Sequence, residues 1–255
     1  MTIPILKVLK YLMLNALFVA SSFASDFAPT KDKLESALAM NHRSIENQGR
    51  DENRNPVAAM EFCRLRADMT VIEFGPGAGW YTEILGPVLR EKGQLFIAYR
   101  DSWMESLDTL LAQDFMSAVV KNPIDISWNS EKQKFNIGNI VYDVENADLA
   151  LSIREYHNLS EDGAKRVNDK TFLALRPGGY YCIIDHTRRH MEEDNSENRR
   201  RIDPVLAIHE IEAAGFEFAD FSDLHYRADD ELRYEVGRKT VTGNTDRWTI
   251  KFVKP

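Results

Sequence analysis

Four short apolar runs set the frame of this chain: TVIEF at Thr70–Phe74, QLFIAY at Gln94–Tyr99, DLALSI at 148–153 and YYCII at 180–184. Each is too short for a helix and apolar at neighbouring positions, as in strands buried on both faces of a parallel sheet. Helical spacing takes over between them. Tyr81, Ile84, Leu85, Val88 and Leu89 form one stripe, and Asn55-Pro56 reads as a helix start followed by Val57, Met60 and Cys63. Residues 31–43 read as a leading helix. Ser160 is placed to cap a helix that stops at Arg176-Pro177-Gly178-Gly179, and Asp203-Pro204 opens another that Gly215 closes. Two later strands are expected at 216–221 and Arg247–Val253, the second turning Trp248, Ile250 and Phe252 to one face. Strand alternating with helix predicts an α/β fold, a parallel sheet covered on both faces.

Three stretches escape this pattern. Residues 121–146 carry no periodicity that assigns them. The charged run HTRRHMEEDNSENRRR (186–201) reads as a long surface connection or a short mobile helix over a site. The polar stretch 227–244 is a second candidate site wall.

The amino terminus stands apart. Lys7 and Lys10 precede an apolar run from Tyr11 to Ala20, and Ser22-Phe23-Ala24 offers small residues where a signal peptidase cuts. The run is about half of the roughly 20 residues a spanning helix needs. The reading is a signal peptide over 1–24, a helical extension over 25–55 and one domain over 56–255, in a protein exported to the periplasm or secreted, with no stable membrane insertion after cleavage. Removing two lysines and no acids takes the formal net charge from −8 to −10. That field argues against a nucleic-acid partner. Cys63 and Cys182 fall within apolar patterns, so buried free thiols are expected.

Candidate chemistry gathers after the first strand, where Gly75, Gly77 and Gly79 alternate. A dinucleotide turn, G-x-G-x-x-G, needs a small sixth residue beside the pyrophosphate, and here that position is Trp80. Pro76 contributes no amide donor to a phosphate nest. The spacing Glu73-x-Gly75-x-Gly77-x-Gly79 resembles instead the first motif of S-adenosylmethionine-dependent methyltransferases. That ligand has no phosphate; it presents an ammonium, a carboxylate, a sulfonium and an adenosine.

The resemblance spreads along the chain. RDENRNP (50–56), GPGAGWYTEIL (75–85), REYHNL (154–159), LRPGGYYCIIDH (175–186), RIDPVLAIHEIEAAGF (201–216) and TDRWTIKF (245–252) look like a family of predicted, often exported bacterial methyltransferases of unestablished substrate. It implies a Rossmann-like three-layer sandwich whose seven-stranded, mostly parallel sheet has its last strand antiparallel. It implies S-adenosylmethionine as cofactor, held by Glu73, Gly75, Gly77, Gly79, Trp80 and Tyr81. Related enzymes carry an acid at the end of the second strand for the ribose hydroxyls. That slot is Tyr99 here, and Asp101, two residues late, serves only if the strand end bulges.

Ligands of open parallel sheets sit beyond the carboxyl ends of the strands. His157 is the first candidate for a general base toward a small-molecule acceptor, with Asp185 and His186 next. Arg154 is placed to meet a substrate acid or Glu73. The same histidines and Asp185, with His190, could ligate a metal, but no compact zinc spacing is present and none is assigned. Neither Asn-Pro-Pro-Tyr nor Cys-x-x-Cys occurs, which removes the usual marks of nucleic-acid methylation. The rival reading is a non-catalytic ligand-binding protein that keeps the fold.

Overall fold

The computed structural model describes residues 27–255; the expected signal peptide lies outside them. A helix over 27–38 (α1) is followed by three short ones, Ile45–Gln48 (α2), Asp51–Arg54 (α3) and Pro56–Phe62 (α4). The chain then alternates: β1 Thr70–Phe74, α5 Thr82–Leu89, β2 Gln94–Tyr99, α6 Asp101–Met104, α7 Asp108–Leu111 and β3 Val119–Pro123. A hairpin, β4 Ile126–Asn129 and β5 Lys134–Ile137, leads into β6 Ala147–Ile153. After it come α8 Glu161–Ala174, β7 Leu175–His186, α9 Pro204–Glu212, β8 Glu217–Ser222 and β9 Arg247–Val253.

Seven strands form one sheet in the order β3-β2-β1-β6-β7-β9-β8. β1 lies between β2 and β6, with Ile72 opposite Phe96 on one side and Ala150 on the other, both pairings parallel. β9 runs antiparallel to β7 and to β8. This is the expected Rossmann-like sheet, its last strand reversed. The chain moves outward from β1 to β2 and β3, then returns to β6 on β1's other side. The order therefore reverses between β1 and β6, where open α/β sheets open a crevice.

The local signals act as read. Ser160 Oγ accepts the Gly163 amide at 3.2 Å, and Asp203 accepts that of Val205 at 2.9 Å. Tyr81, Ile84, Leu85, Val88 and Leu89 are all buried against the sheet. The leading helix begins earlier than expected and ends at residue 38, giving way to turns before α2. The unassigned middle region supplies the end of β3 and the β4–β5 hairpin, too short for a periodicity to show.

The expectation of free thiols is overturned. Cys63 ends α4 directly over β7, its Cα 5.5 Å from that of Cys182, and the two sulfurs are bonded. Among the described residues, no helix is long and apolar enough to cross a membrane.

Candidate functional site

The turn after β1 carries Gly75, Gly77 and Gly79 at φ +68°, +55° and +77°, left-handed values that side chains other than glycine's adopt at a cost. Their surroundings differ. A β-carbon on Gly75 would strike the Glu155 side chain, and one on Gly79 would come within 2.7 Å of Leu107 Cδ2. One on Gly77 would meet only Glu155 Oε1, at 3.9 Å. Gly77 is thus the bare face of the turn, and a cavity of about 250 Å³ opens beside it.

Carboxyl groups flank this cavity. Glu73, at the buried end of β1, accepts a hydrogen bond from Thr82 Oγ1 at 2.7 Å, and burial pushes its pKa up to about 7. Glu155 follows β6 and accepts from Asn158 Nδ2 at 3.1 Å; burial raises it to about 8. Each is a carboxyl whose ionised form gains from a cation.

On the far wall stands His157, buried in a short helical turn after β6. Its Nδ1 lies 2.7 Å from Asp185 Oδ1, at the end of the neighbouring β7. Asp185 is wholly buried. Its Oδ2 accepts the His157 amide at 2.9 Å, and its Oδ1 also accepts the His186 amide at 2.7 Å. A carboxylate facing Nδ1 fixes the proton there and leaves the His157 Nε2 lone pair as an acceptor at the cavity wall. Lys134 Nζ, from the hairpin, holds the His157 carbonyl at 2.7 Å.

His186 is committed differently. Its Nε2 accepts from Arg154 Nε at 3.0 Å, so Nδ1 carries the proton toward Thr245 Oγ1, 3.0 Å away. Burial, with Arg154 beside it, holds the imidazole well below its usual range, and it stays neutral. With both nitrogens engaged, His186 orients Arg154. His190 lies apart, bonded to Asp203 at 2.8 Å. Among the described residues, no group of three or more His, Cys, Asp or Glu is arranged to hold a metal ion.

Of the residues singled out from sequence, Glu73, Gly75, Gly77, Trp80, Tyr81, His157 and His186 line one cavity, with Asp185 directly behind His157. Gly79 and Asp101 lie outside its lining; Asp101 is exposed at the start of α6. Tyr99, in the acid's slot, packs edge-on against Trp103 at 4.8 Å and Phe135 at 6.0 Å. Its hydroxyl lies 3.5 Å from Glu155 Oε2. Trp80 donates its indole N–H to the Asn47 carbonyl at 3.0 Å, anchoring the helical extension to the turn.

Sequence reasoning passed over what that extension delivers. Arg54 stacks its guanidinium 4.3 Å above the Trp80 ring, buried at 7 % exposure. A second cavity, of about 360 Å³, shares Arg50, Arg54, Arg154 and His186 with the first and adds Arg247 and Thr245. The two charged segments complete the wall. Arg201 in the first bonds Asp230 in the second at 2.9 and 3.0 Å, and Arg200 and Val236 reach the first cavity.

The sequence matches no protein-family model and no curated protein. Solved structures match the fold. One is a SAM-dependent methyltransferase from Aquifex aeolicus, 15% identical over 79% of this chain and 90% of that one, TM-score 0.54. The [4+2]-cyclase SpnF is 16% identical over 80% of each chain, TM-score 0.56. A putative O-methyltransferase from Nostoc punctiforme is 13% identical over 80% of this chain and 56% of that one, TM-score 0.53. At such identities the likeness is one of fold, and a fold shared by a cyclase leaves the reaction to be argued from the site.

Proposed function

We propose that this protein is an S-adenosylmethionine-dependent methyltransferase acting on a small molecule, with His157 as general base. The observation that carries the reading is the pairing, across one cavity, of the bare Gly77 turn with a histidine held by a buried carboxylate.

The residues fit the cofactor. Gly77 leaves room for close approach of an uncharged sugar or an amino-acid moiety, while Pro76 withholds the amide that a diphosphate would use. Glu73 and Glu155 suit an ammonium beside a sulfonium, since a cation favours the ionised form of a carboxyl raised by burial. When bound, the cofactor supplies a methyl group on positively charged sulfur, activated for in-line displacement. The chain's own work is then alignment and proton removal. Asp185 holds the imidazole in one tautomer and stabilises the imidazolium formed when Nε2 takes the acceptor's proton.

Export is part of the proposal. A bond between Cys63 and Cys182 suits an oxidising compartment, and the N-terminal pattern has the form of a signal peptide. A second reading, a ligand-binding protein without turnover, is favoured by one feature: Tyr99 and its aromatic neighbours stand where a ribose-binding acid is expected. The decisive experiment incubates the protein with S-adenosylmethionine and candidate acceptors and follows S-adenosylhomocysteine. Binding without product in wild type, and none after acceptor screening, favours the second reading.

A further inference from the structure

Buried arginines in this fold usually have carboxylate partners. Arg43 bonds Asp51 at 2.7 Å and Glu83 at 2.8 Å, and Arg201 is bidentate to Asp230. Four arginines lining the second cavity do not: Arg54 and Arg247, which are buried, and Arg50 and Arg154, which are half-buried. Arg54, Arg154 and Arg247 come from α3, the residue after β6 and the start of β9, and none has a carboxylate oxygen within salt-bridge distance among the described residues.

Their remaining contacts are neutral. Arg154 Nε meets His186, Arg247 Nη2 donates to the Asn53 carbonyl, and Arg54 lies on the Trp80 face. Arg247 is 6 % exposed, and its Nε is buried with no hydrogen-bond partner. Burial and the neighbouring arginines pull Arg54 down to about 9 and Arg247 to about 10, so each remains charged at neutral pH. Converging cations, two of them buried and none paired with a carboxylate, are costly, and a bound anion relieves them. The guanidinium fork is shaped for the two oxygens of a carboxylate or phosphate.

We propose that Arg54, Arg154 and Arg247 form a subsite for an anionic group, a carboxylate or phosphate, carried by the methyl acceptor. The assignment to the acceptor rests on the methyltransferase reading; the anion subsite itself does not. The cofactor as a whole does not offset these arginines, two of which, Arg54 and Arg154, also line the first cavity. Its carboxylate is offset by its ammonium, and the sulfonium leaves it with net charge +1. Glu73 and Glu155 line the first cavity, by the glycine turn; the one acid lining the second is Glu46, which is exposed and bonds none of its arginines. An acceptor anchored by its acid in the second cavity extends past His186 toward His157, because the two cavities share that wall.

The test is thermal unfolding of the protein with malonate or with inorganic phosphate, each against sodium chloride of equal ionic strength. One of them raises the midpoint by about 5 °C or more at a hundredfold excess over Kd. A larger effect of phosphate assigns a phosphorylated acceptor; a larger effect of malonate assigns a carboxylic acid. The R154M/R247M double variant binds the anion at least tenfold more weakly. If that variant does not fold, R247M alone shows the weakening. S-adenosylmethionine, titrated at saturating anion, binds alongside it. No shift beyond that of chloride, an equal shift in the variants, or mutual displacement of anion and S-adenosylmethionine overturns the subsite. A protein that binds the anion through these arginines but never binds S-adenosylmethionine overturns the methyltransferase reading and leaves the subsite standing.

Discussion

Glu155 lies across the glycine turn: a β-carbon on Gly75 would come within 2.4 Å of Glu155 Cγ, while one on Gly77, two residues on, would make only an ordinary contact with Glu155 Oε1, at 3.9 Å. Adjacent glycines of one motif therefore serve different ends. Gly75 lets the Glu155 side chain, from the turn after β6, close down on it, and Gly77 leaves the surface that a ligand meets.

Gly75→Ala is expected to destabilise the protein by about 2–4 kcal/mol, the left-handed backbone and the clash with Glu155 adding together. Gly77→Ala carries the backbone cost alone, about 1–2 kcal/mol. Urea midpoints compare the two; equal losses would mean that Glu155 yields freely. Adding Glu155→Ala to Gly75→Ala recovers the steric part only.

Asp185→Asn keeps the shape beside His157 and removes the charge. If His157 Nε2 is the base, turnover falls about 10²–10⁴-fold with cofactor affinity held within a fewfold. His157→Ala falls at least as far. Unchanged turnover in either variant removes the pair from the chemistry.

The raised carboxyls set a pH dependence. Glu155 titrates at about 8 when folded and near the ordinary carboxyl value when unfolded. Between those values the folded state holds the extra proton, so stability is present at low pH and declines as pH rises toward 8. Glu155→Gln is neutral at every pH, so the stability difference between wild type and variant should shift against wild type from pH 5 to pH 8. A pH-independent difference contradicts the shift.

The Cys63–Cys182 bond closes a loop of 119 residues, for which loop entropy gives about 5 kcal/mol. Reductant, or Cys63→Ser, should lower the urea midpoint accordingly, and thiol titration of the denatured, unreduced protein should find none. Free thiols in protein purified from an oxidising compartment contradict the bond.

The sheet was legible because its central strands are buried on both faces and its helices carry caps: Ile72, Ser160 and Asp203 announce their places. The glycine turn was legible too, and His157 and Asp185 as separate candidates at strand ends; that they pair was not. Arg54 and Arg247 were not. An arginine in a sequence reads as solvated charge, and only the packing of Arg54 on Trp80 and the place of Arg247 at the start of β9 show these two to be buried. Glu155 was hidden for the same reason, beside Arg154 in a loop. The disulfide was missed because 119 residues of chain say nothing of how α4 crosses β7.

The central claim, that the Gly77 face holds S-adenosylmethionine, is tested most directly by calorimetric titration of the protein and of Gly77→Trp with that compound. One molecule should bind per wild-type chain and none to the folded variant, whose indole would fill the cavity. Equal binding by both proteins, or none by wild type, would contradict it.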